Sequence, residues 1–317
     1  MKFSELIEWF IGEMNGIDGA LPVKPLGESH LFCLRRLQGA PIADIEVQDL
    51  DRADWIDHVK LRRRAVKAAT AMHDITFARG VLKYAASARN VKEGITEASI
   101  VAAMPVLQKH GLVGKSTPRT RRPTHDEEER LLAFLEAQDA RDGTKIKVAP
   151  CMRFALRSTR RRGEICRLQW GDIDFEREVY LIRDMKHPTK KKGNHKTFAL
   201  FPELAEIIRA QPRLSDDPAE RVFPYNDKSL GARYTLAKKA LGIEDLRFHD
   251  NRREAITRWL EILPPHKVRQ ISGHENTIIL ERVYAAPRPE DLGVEVAKLR
   301  AGQISLDKPA PNALSLW

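Results

Sequence analysis

Residues 114–123, GKSTPRTRRP, have a composition that predicts a linker between two domains. The segment contains four positive charges, two prolines and no large apolar side chain, so it has nothing to bury in a core. A chain of 317 residues also exceeds the size that one core normally serves. We therefore predict a domain over 1–112, a basic linker over 113–123, a second domain over 124–302 and a tail over 303–317.

The charge of the chain favours a polyanionic partner. The formal net charge is +10 and the isoelectric point is about 9.5, values that are common among nucleic-acid-binding proteins. One basic run taken alone is more often a solvated face. Several runs spread along the chain suit a protein that surrounds a DNA duplex better than one with a single basic tail. The runs are 62–64, 115–122, 160–162 and 190–192.

Other classes of protein are disfavoured by what the sequence lacks. No apolar run approaches the ~20 residues that cross a bilayer, and acidic residues interrupt the apolar positions of the N-terminus, so no signal peptide is predicted. The three cysteines, Cys33, Cys151 and Cys166, have no CxxC spacing, which is typical of core residues in a reducing compartment. We predict a cytoplasmic protein with no metal and no organic cofactor.

Apolar periodicity predicts helices throughout residues 1–112. The spacing of these residues is that of amphipathic helices packed in a small all-helical domain. One stripe contains Phe3, Leu6, Ile7, Phe10, Ile11 and Met14, and a later one contains Ile75, Ala78, Leu82 and Ala85.

The second domain combines helices with a small sheet. Thr124 and Glu127 form a capping-box pattern that predicts a helix start. The segment EREVYLIRDM predicts a strand, HPTKKKGN a turn and HKTFALF a second strand, and helical patterns return over 202–299. The fold class is therefore mainly α (α+β), with a small antiparallel hairpin or sheet in the second domain.

Two motifs place polar side chains one helical turn apart. In STRRRGEICRLQWGDID, residues 158–174, Glu164 follows Arg161 by three positions, so its carboxylate can orient the guanidinium. In FHDNRREAITRWLE, His249 and Arg252 have the same spacing and would point at one target. Each motif alone is more often a solvated helix face.

A third motif, ISGHENTIILERVY, contains His274 and, ten residues later, Tyr284. The order of the three motifs resembles the tyrosine recombinase family of the phage-integrase type. The first resembles that family's Thr-Gly-x-Arg-x-x-Glu box with its Leu-x-Trp-x-Asp-Ile phrase, the second its His-x-x-Arg box, and the third its Gly-His box and nucleophile. The resemblance covers residues 125 to about 292 well and the first domain loosely. Matched residue by residue, it implies the catalytic residues Arg161, His249, Arg252, His274 and Tyr284.

The sequence departs from the family pattern at several positions. Thr159 stands where glycine is usual, and Asn251 and Arg253 replace the common leucine and histidine. The spacing from His274 to Tyr284 is one residue longer than the resemblance leads us to expect. These departures keep open a second hypothesis, a catalytically impaired DNA-binding regulator.

The family's remaining catalytic residue is a lysine on the hairpin. Lys186 is the best match because it lies where the first strand ends, and Lys191 is the alternative when one counts back from the second strand. The segment also contains Lys190, Lys192 and Lys196.

The resemblance implies a site-specific DNA recombinase that cleaves and rejoins strands through a 3′-phosphotyrosyl intermediate, integrating or excising a mobile element without ATP or metal. It also implies a C-shaped clamp on double-stranded DNA, with the linker across the backbone, a dimer on each site and a tetramer in synapsis. Participation of a directionality factor stays open, and the tail is a candidate for docking on a neighbouring subunit. Alternative functions are a type IB topoisomerase and a generic basic nucleic-acid-binding protein, the latter disfavoured by the ordered motifs.

Overall fold

The computed structural model describes residues 1–16, 25–88, 95–117, 119–186 and 193–278, together with 280, 293, 296–297 and 300–301. The chain separates into two compact units, Met1–Pro118 and Arg119–Trp317. Their boundary falls inside the segment whose composition is that of a linker. Within the described residues, no helix is long and apolar enough to cross a membrane. Tyr284, residues 187–192 and residues 303–317 lie outside the described part of the chain.

The first unit is helical in its described parts, as predicted. Its helices are α1 (Phe3–Asn15), α2 (Glu28–Gln38), α3 (Arg52–Arg63), α4 (Ala68–Ala88) and α5 (Ala98–Lys109). The α1 stripe from Phe3 to Ile11 is buried, and α4 buries the predicted face from Ile75 to Ala85. One arginine of the basic run 62–64 pairs with a carboxylate of the same unit: Arg62 Nε donates to the buried side chain of Asp74 at 2.9 Å.

Besides a 3-10 helix at Trp170–Asp172 and helical residues at 278, 280, 293, 296–297 and 300, the second unit contains seven α-helices and three strands in its described residues. They are α6 (His125–Asp139), α7 (Val148–Ser158), α8 (Arg162–Ile165), β1 (Ile173–Asp174), β2 (Val179–Ile182), β3 (Lys196–Ala199), α9 (Pro202–Arg209), α10 (Asp227–Ala240), α11 (Phe248–Ile262) and α12 (Pro265–Ser272). The predicted capping box is confirmed, since Thr124 Oγ1 accepts from the Glu127 N–H at 3.2 Å. The buried α7 packs against its neighbours through Phe154, which contacts Tyr180 and Phe223.

The predicted hairpin is confirmed and belongs to a three-stranded antiparallel sheet of order β1-β2-β3. Ile182 pairs with Lys196, and beyond the strands the Met185 N–H donates to the Asn194 carbonyl at 2.9 Å. This extra pairing continues the hairpin to Met185, and Lys186 follows it directly. Phe198 and Met185 lie on the buried side of the hairpin, which faces α12.

The arginines of the linker segment are bound within the second unit. Arg119 Nε and Nη2 donate to Asp250 at 2.9 Å and 2.8 Å, and Arg119 Nη1 donates to Asp245 at 2.8 Å. Arg121 pairs with Glu127, and Arg122 Nη1 approaches Glu254 to 3.3 Å. These charges therefore hold protein carboxylates, and the course of the linker along a DNA backbone stays a prediction.

Candidate active site

The turn that follows α7 is where the site begins. Thr159 caps the end of α7 in the left-handed conformation, with φ of 60° and ψ of 15°. Glycine is the usual residue in this conformation, because a Cβ, and above all a branched one, is crowded there. The turn therefore forms without the glycine that the family pattern contains.

Hydrogen bonds hold Thr159 in this conformation. Its Oγ1 accepts from Arg160 Nη2 at 2.9 Å and donates to the Ile271 carbonyl at 3.3 Å. Its carbonyl accepts from Arg252 Nη1. The threonine side chain thus contributes contacts to α12 that glycine does not offer.

Arg161 and Glu164 form the pair that their spacing predicts. Arg161 Nη1 donates to Glu164 Oε1 at 2.7 Å, and the Arg161 N–H donates to Oε2 at 3.0 Å. The Glu164 side chain is buried, whereas that of Arg161 keeps 30% of its surface exposed. Burial alone raises the pKa of Glu164, but the charges of Arg160, Arg161 and Arg252 outweigh it and lower that pKa. Three guanidiniums share one carboxylate, so this region keeps a net positive charge.

Arg160 is a member of the site that sequence reasoning missed. It is fully buried, its guanidinium carbon lies 3.8 Å from the centre of the Phe198 ring, and its Nε donates to the Ser158 carbonyl at 3.0 Å. Its Nη2 also donates to the Ile271 carbonyl. Within the described residues its buried Nη1 has no hydrogen-bond partner. The second arginine of the run, Arg161, reaches the surface, and the first ties the hairpin to α12.

The first turn of α11 presents His249 and Arg252. Arg252 is 2% exposed and donates from Nη1 to the Thr159 carbonyl and from Nη2 to the Ser272 carbonyl at 3.1 Å. His249 is exposed at the surface. Desolvation of its ring, and then the positive charges of Arg252 and Arg161, lower the pKa of His249. A neutral His249 at neutral pH is able to accept a proton.

His274 follows the end of α12. Desolvation, and then the charges of Arg252, Arg161 and Arg160, lower the pKa of His274 to about 3. Its Nδ1 lies 2.7 Å from Ser272 Oγ. Gly273 between them has φ of 74°, and a Cβ there would approach the Met185 methyl group to 2.7 Å. A glycine is therefore needed where the hairpin meets the histidine turn.

The end of α12 collects cations. The last carbonyls of a helix have no partner inside it and carry the negative end of the helix dipole. Here Ile271 accepts from Arg160, Ser272 from Arg252, and Gly273 from Lys196 Nζ at 3.4 Å. Residues from α7–α8, α11 and the hairpin are thereby held on one turn.

The structure brings Arg252 and His274 together, because Arg252 donates to the Ser272 carbonyl and His274 contacts the Ser272 hydroxyl. His249 lies one turn before Arg252 on α11, and Arg161 follows Thr159, whose carbonyl accepts from Arg252. Lys186 is exposed and directly follows Met185, which packs against Gly273. Lys190, Lys191 and Lys192 lie outside the described residues, as does Tyr284. The chain approaching that tyrosine is anchored at Leu280, which is buried against Ile256 and Val268.

The chemistry of this cluster is that of an anion site. Guanidiniums present paired N–H donors that match phosphate oxygens and stay charged at any working pH. No group of three His, Cys, Asp or Glu side chains in the described part of the chain is placed to hold a metal ion.

Comparison with known proteins identifies the family of the chain. The phage integrase family model matches residues 121–291, more than half of the chain. The chain belongs to the phage integrase family. The chain is 29% identical over 292 residues to a Haemophilus influenzae protein named "Putative integrase/recombinase", an alignment that covers 90% of the chain and 86% of that relative. The tyrosine recombinase family suggested by the three motifs is thus confirmed.

Two solved structures show the fold. A λ integrase dimer bound to a COC′ core site matches with a TM-score of 0.66 at 14% identity, covering 90% of this chain and 77% of that one. The Tn1549 transposon integrase in complex with circular intermediate DNA matches with a TM-score of 0.62 at 15% identity, covering 94% and 100%. The predicted mainly helical class with a small antiparallel sheet is confirmed for this integrase.

Proposed function

We propose that this integrase is a site-specific DNA recombinase that cleaves and rejoins strands through a covalent bond between Tyr284 and a 3′-phosphate. Membership of the recombinase family supports site-specific recombination in general. The finer proposal rests on one observation, the convergence of Arg161, His249, Arg252 and His274 from three helical segments on a net positive site.

The proposed reaction begins when the Tyr284 oxygen attacks a DNA phosphorus. A phenol with a pKa of about 10 is a poor nucleophile until its proton is removed. His249 is the acceptor in this proposal, because it is exposed and its lowered pKa keeps it neutral. The P–O5′ bond breaks as the P–O bond to tyrosine forms, and Lys186, exposed at the hairpin end, donates the proton that the departing 5′-oxygen takes up.

Arg161 and Arg252 stabilise the charge that develops on the nonbridging oxygens. Arg252 is already held rigid by the Thr159 and Ser272 carbonyls, and Arg161 by Glu164. Such preorganised donors need no reorganisation during the reaction, and losing one typically costs ~2.7–4 kcal/mol of barrier. His274 contributes a further hydrogen bond to the phosphate. A DNA 5′-hydroxyl then attacks the phosphorus, and the new P–O5′ bond forms as the P–O bond to Tyr284 breaks. The hydroxyl proton returns to Lys186 and His249 returns a proton to Tyr284, so one phosphate ester replaces another and the bond energy is conserved.

The proposed partner is double-stranded DNA at a recombination site. The excess of Lys and Arg supports it, as does the λ integrase dimer on its core site. We extend the proposal to a dimer on each site, a tetramer in synapsis and the movement of a mobile element. Phosphate contacts release counterions, so DNA affinity should fall steeply as salt rises.

A suicide substrate tests this function. The full-length chain is incubated with nicked duplexes that carry a site selected by binding, with EDTA present, and covalent protein–DNA adducts are separated under denaturing conditions. We expect an adduct with the wild type and with Tyr225→Phe, the same chemical change outside the proposed site. Tyr284→Phe should give none, and Arg161→Ala should lower the rate by about 10²- to 10³-fold.

Three outcomes would overturn the proposal. An adduct that survives Tyr284→Phe would assign the nucleophile elsewhere. Specific DNA binding with no adduct from the wild type would favour the regulator hypothesis. Relaxation of supercoils without strand exchange would favour a topoisomerase instead.

A further inference from the structure

Ser272 is the residue of the α12 end that contacts two members of the proposed active site. Its backbone carbonyl accepts from Arg252 Nη2 at 3.1 Å, and its hydroxyl lies 2.7 Å from His274 Nδ1. The side chain is fully buried. The hydroxyl contact matters because a neutral imidazole has two tautomers, and the hydrogen bond at one ring nitrogen decides which nitrogen carries the proton.

We propose that Ser272 is a positioning residue that donates its hydroxyl proton to His274 Nδ1 and thereby fixes the proton of His274 on Nε2. The inference rests on the proposed function only for its consequence in DNA cleavage. The tautomer itself is a property of the DNA-free protein. In this tautomer His274 Nε2 is a hydrogen-bond donor, which is what a phosphate oxygen requires.

The direction of the hydrogen bond is inferred from the acceptors that surround the Ser272 hydroxyl. Its oxygen lies 2.7 Å from His274 Nδ1, well within hydrogen-bond distance. Among the described residues, the other acceptor within reach is the Arg269 carbonyl, at 3.5 Å, the limit of a hydrogen bond. That carbonyl already accepts from the Gly273 N–H at 2.9 Å. A hydrogen bond from the Ser272 hydroxyl to His274 Nδ1 is therefore favoured over one to the Arg269 carbonyl.

The neighbouring arginines keep the His274 imidazole neutral, and only a neutral imidazole has two tautomers. Arg252, Arg161 and Arg160 oppose a positive charge on the ring, and the pKa of His274 is about 3. At neutral pH Nδ1 then keeps a lone pair only if the ring proton is on Nε2. The donated bond from Ser272 stabilises that arrangement.

Nuclear magnetic resonance on the full-length chain tests the tautomer directly. The protein is labelled with ¹⁵N-histidine, and the His274 signals are identified by their loss in His274→Gln. We expect the wild type to show a bare Nδ1 and a protonated Nε2. Ser272→Ala should shift the populations toward the other tautomer, and Ser272→Thr, which keeps the hydroxyl, should restore the wild-type pattern. A protonated Nδ1 in the wild type, or an unchanged tautomer in Ser272→Ala, overturns the proposal.

Single-turnover cleavage of the nicked duplex tests the consequence. Ser272→Ala should slow adduct formation about 10- to 100-fold, by analogy with the loss seen when the partner that orients a metal-binding histidine is removed. DNA affinity should be unchanged, because the carbonyl that holds Arg252 is kept. In the His274→Gln background the same change should have no further effect. An equal loss in both backgrounds means that Ser272 does not act through His274, and overturns the inference.

The two proposals fail in different ways. Absence of any adduct from the wild type refutes the proposed recombinase chemistry, and the spectroscopic result on Ser272 still stands. An adduct from the wild type with an unaltered tautomer in Ser272→Ala refutes the positioning role alone.

Discussion

Replacing Asp250 by asparagine should loosen the helix that carries His249 and Arg252. Asp250 lies between them in the first turn of α11, where its carboxylate accepts from Arg119 Nε at 2.9 Å and Nη2 at 2.8 Å. It also caps the helix by accepting from the Arg247 N–H at 2.8 Å. The side chain is 3% exposed, so solvent screens this ion pair weakly.

The expected loss is about 2–3 kcal/mol of local stability. Removing one partner of a buried ion pair typically costs ~3–5 kcal/mol, because the other charge is left unpaired. Arg119 keeps a second partner in Asp245 and is 22% exposed. The free-energy cost of Asp250→Asn should therefore lie at or below the lower limit of that range. Asparagine preserves the volume and can still cap the helix. Asp245→Asn is the matched control, because it removes a carboxylate from the same arginine but one that is 70% exposed.

Hydrogen exchange measured by mass spectrometry on the full-length chain gives the readout for α11 itself. A change of 2–3 kcal/mol raises the opening equilibrium, and hence the exchange of protected amides, by about 30- to 150-fold. Peptides from α4 in the first unit should exchange as in the wild type. Equal effects of Asp250→Asn and Asp245→Asn, or unchanged protection of α11, would refute the reasoning that burial makes the first pair strong.

Three more perturbations test the turns and charges around the site. Thr159→Val keeps the branched Cβ in the left-handed conformation but removes its hydrogen bonds, so it should lower the free energy of unfolding by about 1–2 kcal/mol in urea titrations, more than Thr159→Gly does. Gly273→Ala adds a Cβ that meets Met185 at positive φ, and a loss of more than ~1 kcal/mol should appear in the same titrations; wild-type stability would contradict the close approach. His274, whose pKa is about 3 in the folded state against 6.5 ordinarily, contributes stability above pH 6.5 that is lost as the pH falls toward 3, because the unfolded chain takes up the proton first. His274→Gln should therefore lose less stability than the wild type between pH 6.5 and 3 in pH-dependent denaturation, and parallel curves for the two proteins would show that the ring is not held neutral.

Much of the second unit was predictable because its signals are local. The capping box at Thr124 and the alternating strands around Tyr180 depend on neighbours within a few residues, and both appear as expected. The Arg161–Glu164 pair was predictable for the same reason, since three residues are one helical turn. The sequence also contained the ordered motifs that the family model confirms.

Other features had no local signal. Arg160 and Arg161 are adjacent residues of the same type, yet one is fully buried against Phe198 and the other is partly exposed. Ser272 is an ordinary serine until its distance to His274 is known. The linker arginines had the composition of a DNA-binding strip, but Arg119 finds its carboxylate 131 residues further along the chain.

By itself, the sequence determined the inventory and its order: two units joined by a basic segment, helices with one short hairpin, and the motifs of an integrase. Tertiary structure alone decided which hydrogen bonds hold the residues of the candidate site. The left-handed turn at Thr159 survives without glycine because Arg252, 93 residues away, donates to its carbonyl. The α12 end gathers Arg160 and Arg252 because its unpaired carbonyls attract donors from whichever segments fold beside them. Such contacts depend on distances in the folded chain, which periodicity along the sequence does not encode.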